Sequence, residues 1–535
     1  MDQRLIVLLA YFLVLLVIGF SVRRKAIDSP SQYFLAGRGL GTFLLVCTMA
    51  ATNFSAFTVF GTSGAGYRDG LAMFPIMAFG TGFMAITFWL LGKKVHELGR
   101  ESGAITPPEL MWVVYRHKGL KILFASVMII FTIPYLAIQP MAGGLVLKEL
   151  FNISQFAGAS IIVLVITLYT FRGGLRAVAW TDVMQGILML VMMIVAVVIV
   201  GSHFGGLTEA IKKSYNSNPE LFSRPGGTMR YLPGIWFSYM VLWFFSDPMF
   251  PQIFQRFFAS GNVRSLAKTA LLYPLICTVV FICPVLLGVL GRLVFPSLQG
   301  LESDNIVPMV VVKLGGDLLG TLVLTAGLAA LMSTMDSQLL TLSSIFTHDI
   351  LGSRVAKSKN PILIGRCMVV ILAIIGLVIS IKPPATILEI AVQAFTGFAV
   401  LFPTVLFGLF LKKPSPISAI VSIVAGEIFV VLFALKVLSP LWFLPCVWVI
   451  GVSFVAYMIV QLILRGDIFP AISRSNRKYL IGFGIIFILA MDFYRWGKVG
   501  TFFIGLPLWV WFFVLLSAIQ TLLMYFWFRD SLHQE

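Results

Sequence analysis

With 535 residues, 59% of them hydrophobic and only 11% charged, the chain cannot be an ordinary soluble domain, where about a quarter of residues are charged. Apolar runs recur along its whole length, so it reads as an all-α polytopic membrane protein. The formal net charge of +17 does not indicate a nucleic-acid partner, because the bases cluster at the ends of apolar runs instead of forming one face.

The first run, Leu5 to Val22, is followed directly by Arg23, Arg24 and Lys25. A cleaved signal peptide carries its positive charge ahead of the apolar region, so a retained helix with its N-terminus outside is expected. The second run, Leu40 to Tyr67, holds MAATNFSAFTVFGTSGAG at its centre. Asn53, Ser55, Thr58 and Gly61 suit a lipid-facing helix poorly. A break here would free carbonyls for a cation; the other reading is a packed helix with small-residue contacts.

The third run is roughly Ala72 to Gly92, closed by Lys93 and Lys94. TPPEL in the polar segment after it predicts a helix start. The fourth run, about Ile122 to Leu147, carries Pro134, Tyr135, Gln139 and Pro140, which predict a kink with polar groups at mid-depth. The fifth, Ala157 to Phe171, ends at RGGLR, and the sixth spans about Ala177 to Val200. Asp182 in the sixth belongs either to an ion pathway or to an interfacial pair with Arg176. The polar stretch Ser202 to Pro233 reads as an external loop. In the seventh run, Ile235 to Phe258, Pro248 and Pro251 flank the turn after Asp247 and predict a second interrupted helix.

The eighth run is about Leu271 to Val294, and the ninth, about Leu318 to Phe346, contains AGLAALMSTMDSQLLTLSSIFTHDI. There Ala330, Ser333, Thr334, Ser337, Thr341 and Ser344 recur at helical spacing as one polar stripe, with Asp336 beside it. In hydrocarbon such a stripe must face protein, water or an ion, and its oxygens suit a small hard cation. The plainer reading is a helix-packing seam whose hydroxyls bond back to their own helix. Six more runs follow: Ile362 to Ile381, Ile387 to Leu411, Ser418 to Lys436, Leu441 to Leu464, Tyr479 to Tyr494 and Phe502 to Phe528. The total is about fifteen spans.

With the N-terminus outside, the gaps expected inside are Arg23–Arg38, Lys93–Lys121, Arg172–Arg176, Arg256–Lys268, Arg354–Arg366, Lys412–Lys413 and Arg465–Lys478, all basic. This puts the C-terminus in the cytoplasm. Cys47, Cys277, Cys283, Cys367 and Cys446 lie in apolar runs without metal-ligand or disulfide-framework spacing, and read as packing residues. His96, His117, His203, His348 and His533 are scattered. There is no HExxH, GxSxG or Walker-type motif, so no enzyme and no bound cofactor is expected. The two interrupted runs, the second and the seventh, stand an odd number of spans apart. Two units inserted with opposite orientation would place them in this way, and such breaks point to a transporter's midplane site.

SQYFLAGRG, MAATNFSAF, RGGLRAVAWTDVMQG and GLAALMSTMDSQLLTLSSIFTHDI occur in that order, and in them the chain resembles the sodium/solute symporter family from about Gln32 to Lys413. The resemblance implies a leucine-transporter-like core of two inverted five-helix repeats over Leu40 to Leu411, and import of a small solute driven by sodium. The corresponding divisions are 1–38, an extra helix and cytoplasmic loop; 39–201, the first repeat; 202–233, the external loop; 234–413, the second repeat; and 414–535, peripheral helices. The family's sodium site would fall on the carbonyls of Ala51, Phe54 and Ala330 and the hydroxyls of Ser333 and Thr334. A second cation site of some members would involve Asp182, Ser333, Asp336 and Ser337, with Asp336 standing where a serine is expected. A carboxyl there could strengthen the site or let a proton replace the ion.

The solute pocket implied by the resemblance is lined by Phe57, Thr58, Tyr135, Gln139, Trp243 and Asp247. Thr58 stands where sugar-binding members have glutamine. Phe57 and Asn53 replace a tryptophan and an acid of the proline symporter. Half-helix N-termini favour an anionic group, which leans towards a carboxylate such as an organic acid or amino acid. Asp247 would bind an ammonium group or cap the broken helix. The expected partners are sodium as coupling ion, the solute and the lipid bilayer. A solute sensor of the same bundle is a weaker reading, because it lacks an output domain. The stretch GLPLWVWFFVLLSAIQTLLMYFWF resembles small two-helix membrane proteins encoded beside some bacterial symporters; it is either such a partner fused on or a pair of peripheral helices.

Overall fold

The computed structural model describes residues 2–21, 29–352, 355, 358, 360–383, 385–468, 474–493 and 496–532. The basic cluster Arg23–Lys25, Arg354, His533 and the run end at Tyr494 lie outside them. The described chain is helical: α1 Gln3–Ser21, α2 Pro30–Leu35, α3 Thr42–Asn53, α4 Thr62–Asp69, α5 Met73–Phe83, α6 Ala85–Ser102, α7 Pro107–Tyr115, α8 Lys118–Phe151, α9 Gln155–His203, α10 Leu207–Ser217, α11 Pro233–Ser246, α12 Pro251–Ala259, α13 Val263–Gly291 and α14 Ile306–Ile345. Then come α15 Pro361–Ile379, α16 Ile387–Ala399, α17 Phe402–Phe410, α18 Pro416–Ala434, α19 Pro445–Arg465, α20 Arg474–Met491 and α21 Leu508–Leu532.

Eleven helical stretches among the described residues are long and apolar enough to cross a membrane, fewer than the runs counted in the sequence. Part of the difference lies in α9, which takes up two runs. Its 49 residues would make a rod of about 74 Å, more than twice a hydrocarbon core of about 30 Å. It bends at Gly174, where φ 59° and ψ −168° are open only to glycine. A Cβ on Gly174 would lie 2.5 Å from the Tyr33 carbonyl oxygen. Gly174→Ala is therefore expected to lower the chain's melting temperature through a loss of about 1–3 kcal/mol, read by thermal unfolding of the purified protein. An unchanged melting temperature would show that this kink is not constrained. The same device recurs at Gly316 (φ 65°, ψ −178°) inside α14.

Both expected interruptions are present. α3 stops at Asn53, Phe54 is extended (φ −87°, ψ 100°), a wide turn runs Phe57–Gly61, and α4 resumes at Thr62. α11 stops at Ser246, a tight turn covers Asp247–Met249, and Pro251 opens α12. Proline suits that first position because its missing N–H would have no helical partner there. The TPPEL expectation also holds: the Thr106 hydroxyl caps α7 by accepting from the Glu109 N–H at 3.2 Å.

One expectation is filled in and another corrected. The stretch Ser202 to Pro233, expected as an external loop, has structure of its own. It contains α10, and its Tyr231 hydroxyl donates to Asp69 Oδ2 at the end of α4, at 3.1 Å. The last run is not helical throughout. Strands β1 Phe502–Phe503 and β2 Leu506–Pro507 pair antiparallel before α21 begins. Ile504 (φ 47°) and Gly505 (φ 78°) make their two-residue turn, the left-handed geometry tight hairpins need.

α3 is enclosed by α9, α13 and α14, and α12 reaches α3 and α14. This arrangement brings the second, sixth, seventh and ninth runs to one place. On the far side α21 packs on α5, α13 and α20.

Candidate functional site

The polar stripe of α14 is buried from Ser333 to Ser344. Its members divide in what they touch. Ser344 bonds back to the Thr341 carbonyl at 2.7 Å, and Thr341 reaches both the Ser337 carbonyl and Gln255 Oε1. That half behaves as a packing seam. Ser333 and Thr334 instead face the end of α3. The Ser333 Oγ lies 2.9 Å from the Ala51 carbonyl oxygen and 2.9 Å from that of Ala330. The Thr334 Oγ1 lies 3.1 Å from the Thr52 carbonyl and 3.4 Å from that of Ala330.

Four of the five residues expected at a sodium site thus meet across two helices: Ala51, Ala330, Ser333 and Thr334. Phe54 sits at the break, where its N–H still donates to the Ala50 carbonyl at 2.9 Å. The Thr52 carbonyl, outside the expected set, follows from ending α3 at Asn53, since the last carbonyls of a helix have no intrahelical partner. Carbonyl and hydroxyl oxygens are the donors a hard monovalent cation takes.

The break itself is held by side chains. Gln139 Oε1 accepts from the Ala56 N–H at 3.1 Å, and Ser55 Oγ accepts from the Phe57 N–H at 3.1 Å and from the Tyr135 hydroxyl at 3.0 Å. Thr58 Oγ1 accepts from the Ser55 N–H at 3.2 Å. The amides freed by the interruption are satisfied inside the protein, as non-helical backbone at membrane depth requires.

Toward α9, a second polar cluster lies entirely buried. Asp182 Oδ2 accepts from the Thr48 hydroxyl at 2.5 Å and lies 3.6 Å from Arg256 Nη2. The interfacial pair with Arg176 is not formed: Arg176 is exposed, and the partner comes from α12. Arg256, at the start of an expected inside gap, is fully buried. Its Nη2 donates to Ser337 Oγ at 2.6 Å and to Thr48 Oγ1 at 3.2 Å. Asp336 Oδ2 accepts from the Tyr169 hydroxyl at 2.8 Å, and its Oδ1 lies 3.2 Å from Ser337 Oγ. Asp182, Asp336 and Ser337 are therefore gathered, with Arg256 among them.

Between the two breaks, a cavity of about 10 Å³ is lined by Asn53, Phe57, Thr58, Met77, Thr81, Tyr135, Trp243, Asp247, Phe250, Phe281 and Phe395. Five of the six expected pocket residues line it. Gln139 does not; it serves the break instead. The space suits about one water, because aromatic rings close it. Phe395 lies 4.5 Å from Phe250, 4.9 Å from Tyr135, 5.5 Å from Trp243 and 6.1 Å from Phe57, centroid to centroid. Nothing in the local sequence singled out Phe395, which lies two runs beyond the polar stripe. Asp247 faces this cavity and does not cap α12, whose first turn has no side-chain cap.

A family model described as the sodium:solute symporter family matches residues 33–426. The sodium/pantothenate symporter of Haemophilus influenzae is 27% identical over 414 residues, covering 76% of this chain and 84% of the relative. A sodium/proline symporter of Staphylococcus aureus is 28% identical over 445 residues, covering 81% and 86%. Among solved structures, a Na+-coupled sialic acid symporter in its substrate-bound outward-open state superposes with a TM-score of 0.73 at 19% identity, covering 87% of this chain and 98% of that one. The nucleobase-cation-symport-1 family transporter Mhp1, closed on bromovinylhydantoin, gives a TM-score of 0.55 at 13% identity, covering 84% and 98%. These likenesses establish a leucine-transporter type of helical fold.

Proposed function

The chain belongs to the sodium:solute symporter family, and from that premise we propose that it imports a small carboxylate, an organic acid or an amino acid, together with sodium by alternating access. Sodium-coupled transport of a small solute by a multi-pass membrane protein is the activity its relatives share. The observation that carries the proposal to this chain's own residues is the meeting of the Ala51 and Ala330 carbonyls with the Ser333 and Thr334 hydroxyls. We assign these, with the Phe54 carbonyl, to the coupling sodium. Asp182, Asp336 and Ser337 are assigned to a second cation. Phe57, Thr58, Tyr135, Trp243 and Asp247 are assigned to the solute, with Gln139 supporting them through the break.

A sodium ion shared between α3 and α14 would hold the two helices together in one state and release them in the other. Coupling requires such a difference, since an ion bound equally in both states shifts nothing. The membrane potential would add roughly 2.3 kcal/mol per charge per 100 mV. Within the carboxylate class, Asp247 favours a solute that also bears an ammonium group, because a buried carboxylate repels a bare anion. The division proposed with it takes residues 39–201 and 234–413 as inverted repeats joined by 202–233, with 1–38 and 414–535 peripheral; an interruption in each half supports it. The N-terminus is placed outside and the C-terminus in the cytoplasm on the basic gaps. Asp336 also favours one alternative, a proton taking the second cation's place.

Proteoliposomes holding the full chain test this reading. Under an inward sodium gradient, one class from a panel of labelled amino acids, organic acids, vitamins and sugars is expected to accumulate, and to stop when potassium replaces sodium. Accumulation driven equally well by a proton gradient without sodium would overturn sodium coupling.

A further inference from the structure

The second cation cluster has an unequal charge count. Two carboxylates, Asp182 and Asp336, share it with one guanidinium, Arg256, and all three are buried at 0% exposure. Ionised together they carry a net charge of minus one. Buried charges persist only when compensated, so two carboxylates in one dry cluster call for two positive charges. One is built into the chain. The Arg256 Nη2 touches Ser337 Oγ (2.6 Å), Thr48 Oγ1 (3.2 Å) and Asp182 Oδ2 (3.6 Å), so it is surrounded by the kind of oxygens a free cation would take. Among the described residues no second cation is paired with the two carboxylates. Asp182 Oδ1 is buried without a hydrogen-bond partner among the described residues, an acceptor left over on the carboxylate that Arg256 approaches only through Oδ2.

We infer that Arg256 is a tethered cation that permanently fills one of the two positive positions created by Asp182 and Asp336, so that the cluster takes one mobile cation and not two. The inference rests on the symporter reading above and adds what sets the number of ions. It also gives the ion a lever. Arg256 stands on α12, directly after the turn at Asp247 that faces the solute cavity. Arrival or loss of the mobile cation changes the field on a group fixed to the interrupted helix.

Charge arithmetic gives the test, with sodium alone as probe. Proteoliposomes containing the full chain, or Arg256→Gln, Asp336→Asn or the double variant, are given sodium jumps against choline, and displaced charge is recorded against concentration. Arg256→Gln leaves a net charge of minus two. Its response is expected to steepen by about one unit of Hill coefficient, with half-saturation at roughly tenfold less sodium. Asp336→Asn leaves zero, and is expected to lose about one unit of steepness. The double variant returns to minus one and to wild-type behaviour. If Arg256→Gln alone does not fold, the double variant decides against Asp336→Asn, since it differs from it only in Arg256 and regains a net charge of minus one: recovered steepness is expected. A wild-type chain that displaces no charge on a sodium jump would sink sodium coupling itself. A normal wild-type response left unchanged by Arg256→Gln or, where that variant does not fold, a double variant no steeper than Asp336→Asn would overturn the role of Arg256 and leave sodium coupling standing.

Discussion

Replacing Ser333 and Thr334 together by alanine is expected to abolish sodium dependence while the chain still folds and inserts. In the proposed site each hydroxyl would be a ligand to a charge in a dry environment, where such contacts are worth about 1.5–3 kcal/mol apiece. Losing both should weaken sodium binding by roughly 10²- to 10⁴-fold. Folding is spared because the hydroxyls bond to carbonyls at helix ends, and α14 keeps its apolar packing on α9. The measurement is sodium-dependent uptake beside a folding check by size exclusion. Normal sodium-coupled uptake by a folded double variant would refute the assignment of these residues.

Asp492→Asn is expected to loosen the C-terminal helices from the rest of the chain. Asp492 follows α20, and its Oδ2 lies 2.9 Å from Arg224 Nη1, with both side chains buried. The Arg224 guanidinium also stands 5.1 Å from the Trp496 ring centre. Removing one partner of a buried ion pair costs about 3–5 kcal/mol, because the Asp492 carboxylate no longer offsets the buried guanidinium. A fall of a few degrees in melting temperature should follow. Arg224→Met combined with Asp492→Leu should recover part of that loss, since an apolar pair of similar volume removes both buried charges. Equal melting temperatures for wild type and Asp492→Asn would show that the pair does not hold the tail. Neighbouring contacts point the same way. Trp509 Nε1 donates to the Phe222 carbonyl at 3.1 Å, and Gln520 Nε2 donates to the Gly82 carbonyl at 2.9 Å. The tail therefore docks on the core through specific bonds as well as apolar area.

What could be read in the sequence was local in origin. Small and polar residues at Asn53–Gly61 and the prolines around Asp247 mark interruptions because they act on their own turn of helix. The α14 stripe was visible because helical spacing projects it onto one face. What escaped depends on distant chain segments meeting. Asp182 has Arg176 nearby in sequence, but its partner is Arg256, whose charge resembled one more base in an inside gap. Phe395 closes the cavity between the breaks from a run whose polar residues, Glu389 and Gln393, do not mark it. Gln139, expected at the solute, is used to hold the Ala56 N–H, a need that arises only once the second run breaks. The hairpin at Phe502–Pro507 hid inside an apolar run whose two strands are too short to show a period.

Sodium-selective stabilisation is the most direct test of the central claim. The purified full chain would be melted in equal concentrations of sodium and potassium, with ionic strength fixed. A ligand that binds only the folded state raises its stability by RT ln(1 + [L]/Kd), so a site made by α3 and α14 predicts a rise in sodium that saturates and that potassium does not reproduce. An equal rise in both salts, or none in either, would contradict a sodium site at Ala51, Ala330, Ser333 and Thr334.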